Sequence, residues 1–244
     1  MSEAEEPLKS SYGLVAFFDI LGYRQIIANN EIKEAASIIK RVLKKVTDFQ
    51  NAADVVEKEL KFSPATKYLA FSDSILVYTN YSENEASQKN QAGLFIAGCA
   101  GLCGDLFEEG LPARGAIAKG EFFIEQTSFA GKAIVEAYEF ANAMEFSGCV
   151  IVPTAETEFA GISDPLNLLF SYPVPLKGNQ KQNLLTLNLC FGLLVKDSDD
   201  SRQFTIKQFS RHNKNIGPEV IGKVNNTVHF FEQARAAMRE ACVK

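Results

Sequence analysis

The chain has 244 residues, 46% of them apolar and 23% charged, with a formal net charge of -5. That length suits one large domain, or one domain with an extension, and that balance suits a globular fold. The acidic sum gives no support to a nucleic-acid surface, and no apolar run reaches the roughly 20 residues that span a bilayer.

Met1 to Ser11 is acidic and polar, so it reads as a frayed tail and not as a secretory signal. Leu14 to Asp19 reads as a buried strand, and Gly22 to Asn29 as a short helix. From Glu31 to Gln50 the apolar residues recur at helical spacing. Asn51 to Pro64 is ambiguous. Lys67 to Phe71 and Ser74 to Tyr78, with Ser72-Asp73 between them, read as a hairpin. Glu83 to Glu109 is a long helix broken by glycines. Ala113 to Ala118 and Glu121 to Glu125 read as a strand pair. Ala130 to Phe146 is a helix, and Cys149 to Pro153 a strand. Five cysteines (Cys99, Cys103, Cys149, Cys190 and Cys242) lack metal-ligand spacing. They read as small core residues in a reduced, cytoplasmic setting.

The first 153 residues therefore follow a split β-α-β plan with additions, an antiparallel sheet with helices packed on one face. Past Pro153, Asp164 to Pro175 reads as a Pro-rich connection and Asn183 to Val195 as a strand. Lys196 to Arg202 is a charged turn. Gln203 to Phe209 alternates weakly and suits a returning strand, and Pro218 to Val243 is a closing helix. This half is expected to complete the sheet and a dimer surface. The plan gives one domain over 12–244, with a core to 153 and an extension beyond it.

Two carboxylates meet in this plan. Asp19 ends the first strand and Asp73 starts the third, which lies antiparallel beside it. Two acids at one sheet edge repel unless a cation sits between them, and hard oxygen ligands select Mg²⁺ or Mn²⁺. The bland alternatives are that Asp19 caps the next helix and that Asp73 is a turn residue. Arg114 is a candidate bidentate donor to phosphate, or else the partner of Glu108 or Glu109. Lys119 is a weaker candidate of the same kind. Tyr23 stacks on a base or packs in the core.

The stretch Phe17-Phe18-Asp19-Ile20-Leu21-Gly22-Tyr23 resembles the first-strand motif of class III nucleotidyl cyclases. Phe71-Ser72-Asp73-Ser74 resembles their hairpin motif, with Ser72 in place of the usual glycine. Arg114-Gly115-Ala116-Ile117-Ala118-Lys119-Gly120 resembles the strand after their long helix. Phe129-Ala130-Gly131-Lys132-Ala133-Ile134-Val135-Glu136-Ala137 resembles the entry to their transition-state helix. The four motifs stand in family order. The departures are informative. The family's purine reader falls on Leu69 and its partner on Ser128, while its transition-state asparagine and arginine fall on Val135 and Glu139. Arg114-Gly115-Ala116-Ile117, with Gly131 and then Val135-Glu136-Ala137-Tyr138-Glu139, resembles the Pycsar-type pyrimidine cyclases of bacterial antiphage defence, as does Asn225 to Phe231.

The resemblance implies a ferredoxin-like α+β cyclase core with a C-terminal strand and helix extension. It implies two Mg²⁺ or Mn²⁺ ions per site, held by Asp19, Asp73 and the Ile20 carbonyl. Phosphates would lie on Ile20, Leu21, Gly22, Tyr23 and Arg114, with Leu69, Ser128, Tyr138 and Glu139 on the base and transition-state side. It further implies a homodimer with composite sites and conversion of UTP or CTP to the 3′,5′-cyclic nucleotide. That product would act on a separate cyclic-nucleotide-gated effector. The alternatives are an adenylate or guanylate cyclase with unusual base readers, or a catalytically dead nucleotide sensor.

Overall fold

The structure is a computed structural model and describes residues 10–59, 66–81, 84–160, 164, 167–191 and 200–242. The expected tail lies outside the described residues as far as residue 9.

The first strand, β1 (Ser11–Ile20), is the centre of the molecule. Leu14 to Phe18 are all buried. Successive strand residues face opposite sides, so both faces of β1 are covered. This corrects the expectation of helices on one face only. Two helices follow, α1 (Tyr23–Asn29) and α2 (Ile32–Glu59), the second running through most of the ambiguous stretch. Then come β2 (Lys67–Phe71), β3 (Ser74–Asn80) and α3 (Glu85–Glu108). The Asn84 side chain accepts the Ser87 N–H at the start of α3, an ordinary N-terminal cap.

Next is β4 (Ala113–Glu125), one long strand in place of the expected pair. Lys119-Gly120 had the look of a turn. However, β1 pairs with β4 without interruption from Ile20↔Ala113 to Ser11↔Phe122, which holds the chain extended through Gly120. The turn comes later, at Gln126-Thr127, and β5 (Ser128–Ala130) pairs back on the end of β4. Helix α4 (Lys132–Ala143) begins after Gly131. Gly131 has φ +148, and a Cβ there would lie 2.7 Å from the Glu121 carbonyl oxygen, so only glycine fits. The helix stops three residues short of Phe146, because Glu145 donates its N–H to Pro175 instead.

The chain continues through β6 (Gly148–Ile151), α5 (Pro153–Phe159), β7 (Leu169–Leu176) and β8 (Gln180–Leu187). The expected Pro-rich connection is thus largely a strand. It tolerates Pro173 and Pro175 because β7 is the last strand of the sheet, where only Met144 and Glu145 reach its outer edge among the described residues and a missing N–H breaks no ladder. The expected strand Asn183 to Val195 ends at Leu187, and its residues 192–195 lie outside the described residues. So do residues 196–199 of the expected charged turn. Gln203 to Phe209 belongs to a helix, α6 (Ser201–Ser210), not to a strand. Asp200 caps it by accepting the N–H groups of Arg202 and Gln203, and Thr205, Gln208 and Phe209 bury one helical face. The closing helix is α7 (Pro218–Cys242).

The sheet order is β2-β3-β1-β4-β6-β8-β7, with β5 attached to β4. Every pairing is antiparallel except β4 with β6. The hairpin β7–β8 completes the sheet, as the extension was expected to do. Cys99, Cys103 and Cys149 are free and buried, and burial raises the Cys99 and Cys149 thiols well above the ordinary range.

Candidate active site

The register of β1 places its last acid between two useful neighbours. Asp19 pairs with Ser74 of β3 on one side and with Arg114 of β4 on the other. Asp73 precedes Ser74 in the turn Ser72-Asp73. Its carbonyl accepts the Ile20 N–H at 2.9 Å, which clips the hairpin turn to the end of β1. Ser72 sits at φ 54, a left-handed conformation that suits the glycine usual in the family's motif.

Arg114 is engaged on all three nitrogens. Its Nε donates to Asp19 Oδ2 at 2.8 Å. One terminal nitrogen donates to the Asn142 carbonyl at 2.8 Å, and the other to Asn142 Oδ1 at 2.7 Å. Arg114 therefore pairs with neither Glu108 nor Glu109. It neutralises Asp19, and Asn142, at the end of α4, orients its fork. Burial pushes the Asp19 carboxyl above the usual carboxylate range. The hydrogen bond and charge of Arg114 oppose that shift, the Asp73 carboxylate adds to it, and Lys177 opposes it. Lys177 is exposed in the turn between β7 and β8. The sequence offered no signal for Asn142, and none for Lys177 beyond its charge.

Two donors of the expected phosphate cradle are already used within the fold. Ile20 donates to Asp73, and Leu21 donates to the Pro112 carbonyl at 2.8 Å. The Gly22 N–H, at φ 81, has no acceptor among the described residues. Tyr23 is half-buried against the core. Lys119 lies away from the site. It pairs with Leu14, at the far end of β1, and forms an ion pair with Glu158 beside the rings of Tyr12 and Tyr81.

An aromatic group lies on the Asp19 face. Phe17, two residues before Asp19, meets Phe71 at 6.5 Å and the edge of Tyr138 at 5.2 Å, while Phe71 stacks on Phe129 at 5.3 Å. Tyr138 thus reaches the Asp19 face within one chain. Leu69 is half-buried opposite Leu76, and Ser128 is exposed at the start of β5. Val135 and Glu139 line an open groove of about 540 Å³ along α4.

The donor set fits a hard dication. Among the described residues no third acid, histidine or cysteine completes a protein cage. The remaining ligands would come from water and phosphate oxygens, the usual arrangement for Mg²⁺. Asp19 would offer the oxygen that Arg114 leaves open, with Asp73 and the Ile20 carbonyl beside it.

Behind this edge lies Lys214, which is 5% exposed and donates from Nζ to the Gly110 carbonyl at 2.7 Å. Burial pushes its pKa down to about 7, against an unfolded value near 10.4. Between those values the unfolded chain binds more protons. Stability therefore rises with pH by up to about 1.4 kcal/mol per unit, and is lost as pH falls through about 7. Denaturant unfolding between pH 7 and 9 should show the parent gaining stability relative to Lys214→Met, a difference in which the contribution of the buried cysteines cancels. Parallel pH profiles would contradict the assignment.

No family model matches the sequence, and no curated protein sequence matches it. Solved structures do match in fold. The adenylyl cyclase CyaB from P. aeruginosa is 13% identical, with a TM-score of 0.50 over 75% of this chain and 96% of that one. A bacterial light-regulated adenylyl cyclase is 10% identical, with a TM-score of 0.55 over 86% of this chain. This chain spans 60% of that protein's length. The chain shares its fold with these adenylyl cyclase structures, a mainly antiparallel sheet with packed helices, which is the fold that the four ordered motifs implied.

Proposed function

We propose that the chain is a nucleotidyl cyclase acting on a pyrimidine nucleoside triphosphate, UTP or CTP. The observation that carries this reading is the convergence of Asp19, Asp73 and Arg114 at one sheet edge within a cyclase fold. In the reaction the ribose 3′-oxygen attacks the α-phosphorus, its proton is lost, and the bond to the β-phosphate oxygen breaks to release pyrophosphate. Two bound Mg²⁺ or Mn²⁺ ions would supply the acidity that deprotonates the hydroxyl and the charge that stabilises the phosphates. Asp19 and Asp73 hold the hydroxyl end of the site. The Gly22 N–H and Tyr23 lie where the phosphate chain would run. Arg114 keeps Asp19 aligned and has one N–H still open toward a phosphate.

Leu69 stands where the family's purine reader is expected and removes that hydrogen-bond readout, and the pyrimidine choice rests on the resemblance carried by Val135 to Glu139 and Asn225 to Phe231. Ser128, Tyr138 and Glu139 would complete the base and transition-state side. Val135 and Tyr138, each about half exposed, with Phe71 and Phe129, form an apolar surface. A second copy covering it would make a homodimer with composite sites. The cyclic product would act as a second messenger on a separate gated effector in antiphage signalling. Among the described residues no helix is long and apolar enough to cross a membrane. The second reading, an adenylate or guanylate cyclase, has in its favour that the two structures named above are adenylyl cyclases.

The test is incubation with each of the four nucleoside triphosphates and Mn²⁺, with products identified by chromatography. The expected product is cyclic UMP or cyclic CMP. A purine product alone would select the second reading, and no cyclic product from any of them would leave the dead sensor.

A further inference from the structure

The segment joining α6 to α7, Arg211-His212-Asn213-Lys214-Asn215, is bonded to both sides of the candidate site. Toward α1, the Asn215 N–H donates to Gln25 Oε1 at 2.6 Å, Asn29 donates to the Asn213 carbonyl at 2.7 Å, and Asn30 donates to the His212 carbonyl at 2.9 Å. Toward the end of α3, Arg211 donates to the Glu108 carbonyl at 2.6 Å, and a His212 ring nitrogen meets the Glu109 carbonyl oxygen at 2.6 Å. His212 and Asn213 hold φ values of 61 and 58, a left-handed backbone that costs a non-glycine residue energy.

Lys214 sits in the middle of this strap. Its ammonium reaches Gly110. Its stem lies against Gly22, where an added Cβ would come within 2.8 Å of the lysine Cδ. Gly22 follows Asp19 closely on one segment, and Gly110 closely precedes Arg114 on the other. One side chain from the C-terminal extension therefore joins the two segments that carry the acid and its arginine.

We propose that Lys214 is a positioning residue, which seats the Gly22 turn on the α3–β4 junction and so keeps Asp19 and Arg114 in register for metal and nucleotide. The proposal rests on the cyclase reading. Its physical warrant is the cost of the arrangement. A buried lysine amine with one carbonyl acceptor among the described residues is poorly compensated whenever it is charged, and a methionine would fill the same space more cheaply. Among the described residues no acid supplies a counter-charge at bonding distance. Of the charged groups lining the adjoining cavity of about 140 Å³, Lys223 is paired with Glu145 at 2.9 Å, and Glu219 stands in the first turn of α7. A polar amine kept where packing alone would favour an apolar group serves geometry rather than stability.

The test compares the parent chain with Lys214→Met and Lys214→Arg. The measurements are thermal melting at pH 7, Mn²⁺ binding by electron paramagnetic resonance, and kcat and KM for the preferred nucleotide. Lys214→Met should melt no lower than the parent, yet lose about tenfold in kcat with KM within about threefold, and bind Mn²⁺ several-fold more weakly. Lys214→Arg should recover part of both losses. Unchanged kcat and Mn²⁺ affinity would overturn the proposal. So would losses that merely track a lower melting temperature, since that is a structural role. If the parent binds Mn²⁺ but makes no cyclic nucleotide, the cyclase reading fails, and the Mn²⁺ comparison alone decides the role of Lys214.

Discussion

Replacing Asp73 with Asn should lower product formation by about a thousandfold or more, with the fold intact. Asp73 stands in a surface turn whose backbone, not its side chain, makes the structural bond to Ile20. An amide keeps that turn and its shape. It loses the formal charge that a hard dication needs, and metal stabilisation of several kcal/mol corresponds to about three powers of ten in rate. The companion observation is a melting temperature within a few degrees of the parent, as expected for a surface substitution. Substantial Mn²⁺-dependent activity in Asp73→Asn would sink the two-acid metal site.

Replacing Arg114 with Met should destabilise the protein by about 3 kcal/mol at pH 7 and much less near pH 4. The side chains of Arg114 and Asp19 are only 12% and 17% exposed, so the change leaves a nearly buried carboxylate without its cation. Burial and Asp73 already push the Asp19 carboxyl up, and Arg114 is the main opposing influence. Without it the folded pKa rises further above the unfolded one. Stability is then full below the unfolded pKa and lost as pH rises through the folded one, so the deficit grows from acid toward neutral pH. Urea unfolding at the two pH values checks this. Equal deficits at both would mean that the loss is one of packing. Adding Asp19→Asn to the Arg114→Met chain should restore part of the stability at pH 7, because the orphaned charge is removed.

The centre of the fold was legible because its signals are local. The apolar run before Asp19 reads as a central strand, and Ser72-Asp73 reads as a hairpin turn. Those two features bring the acids to one edge through β1–β3 pairing. What was illegible depended on partners distant in sequence. Lys119-Gly120 looks like a turn until β1 holds it straight. Pro173 and Pro175 look like a connection until β7 is seen to be an edge strand. Gln203 to Phe209 alternates weakly like a strand until Asp200 is seen to cap a helix there. Arg114 was expected to bind phosphate or to pair with Glu108 or Glu109. Its pairing with Asp19 follows from a β1–β4 register that no spacing reveals. Lys214 stands almost two hundred residues from Gly22, and nothing local in the sequence distinguishes this buried lysine from those at the surface.

The central claim is that this edge drives attack of the ribose 3′-hydroxyl on the α-phosphate. The most direct measurement is pyrophosphate release with Mn²⁺, from UTP and CTP and from the matching 3′-deoxy nucleotides. The account predicts release in step with cyclic product from a normal substrate, and none from its 3′-deoxy counterpart. Equal release from both would show that water is the nucleophile, and would contradict a cyclase.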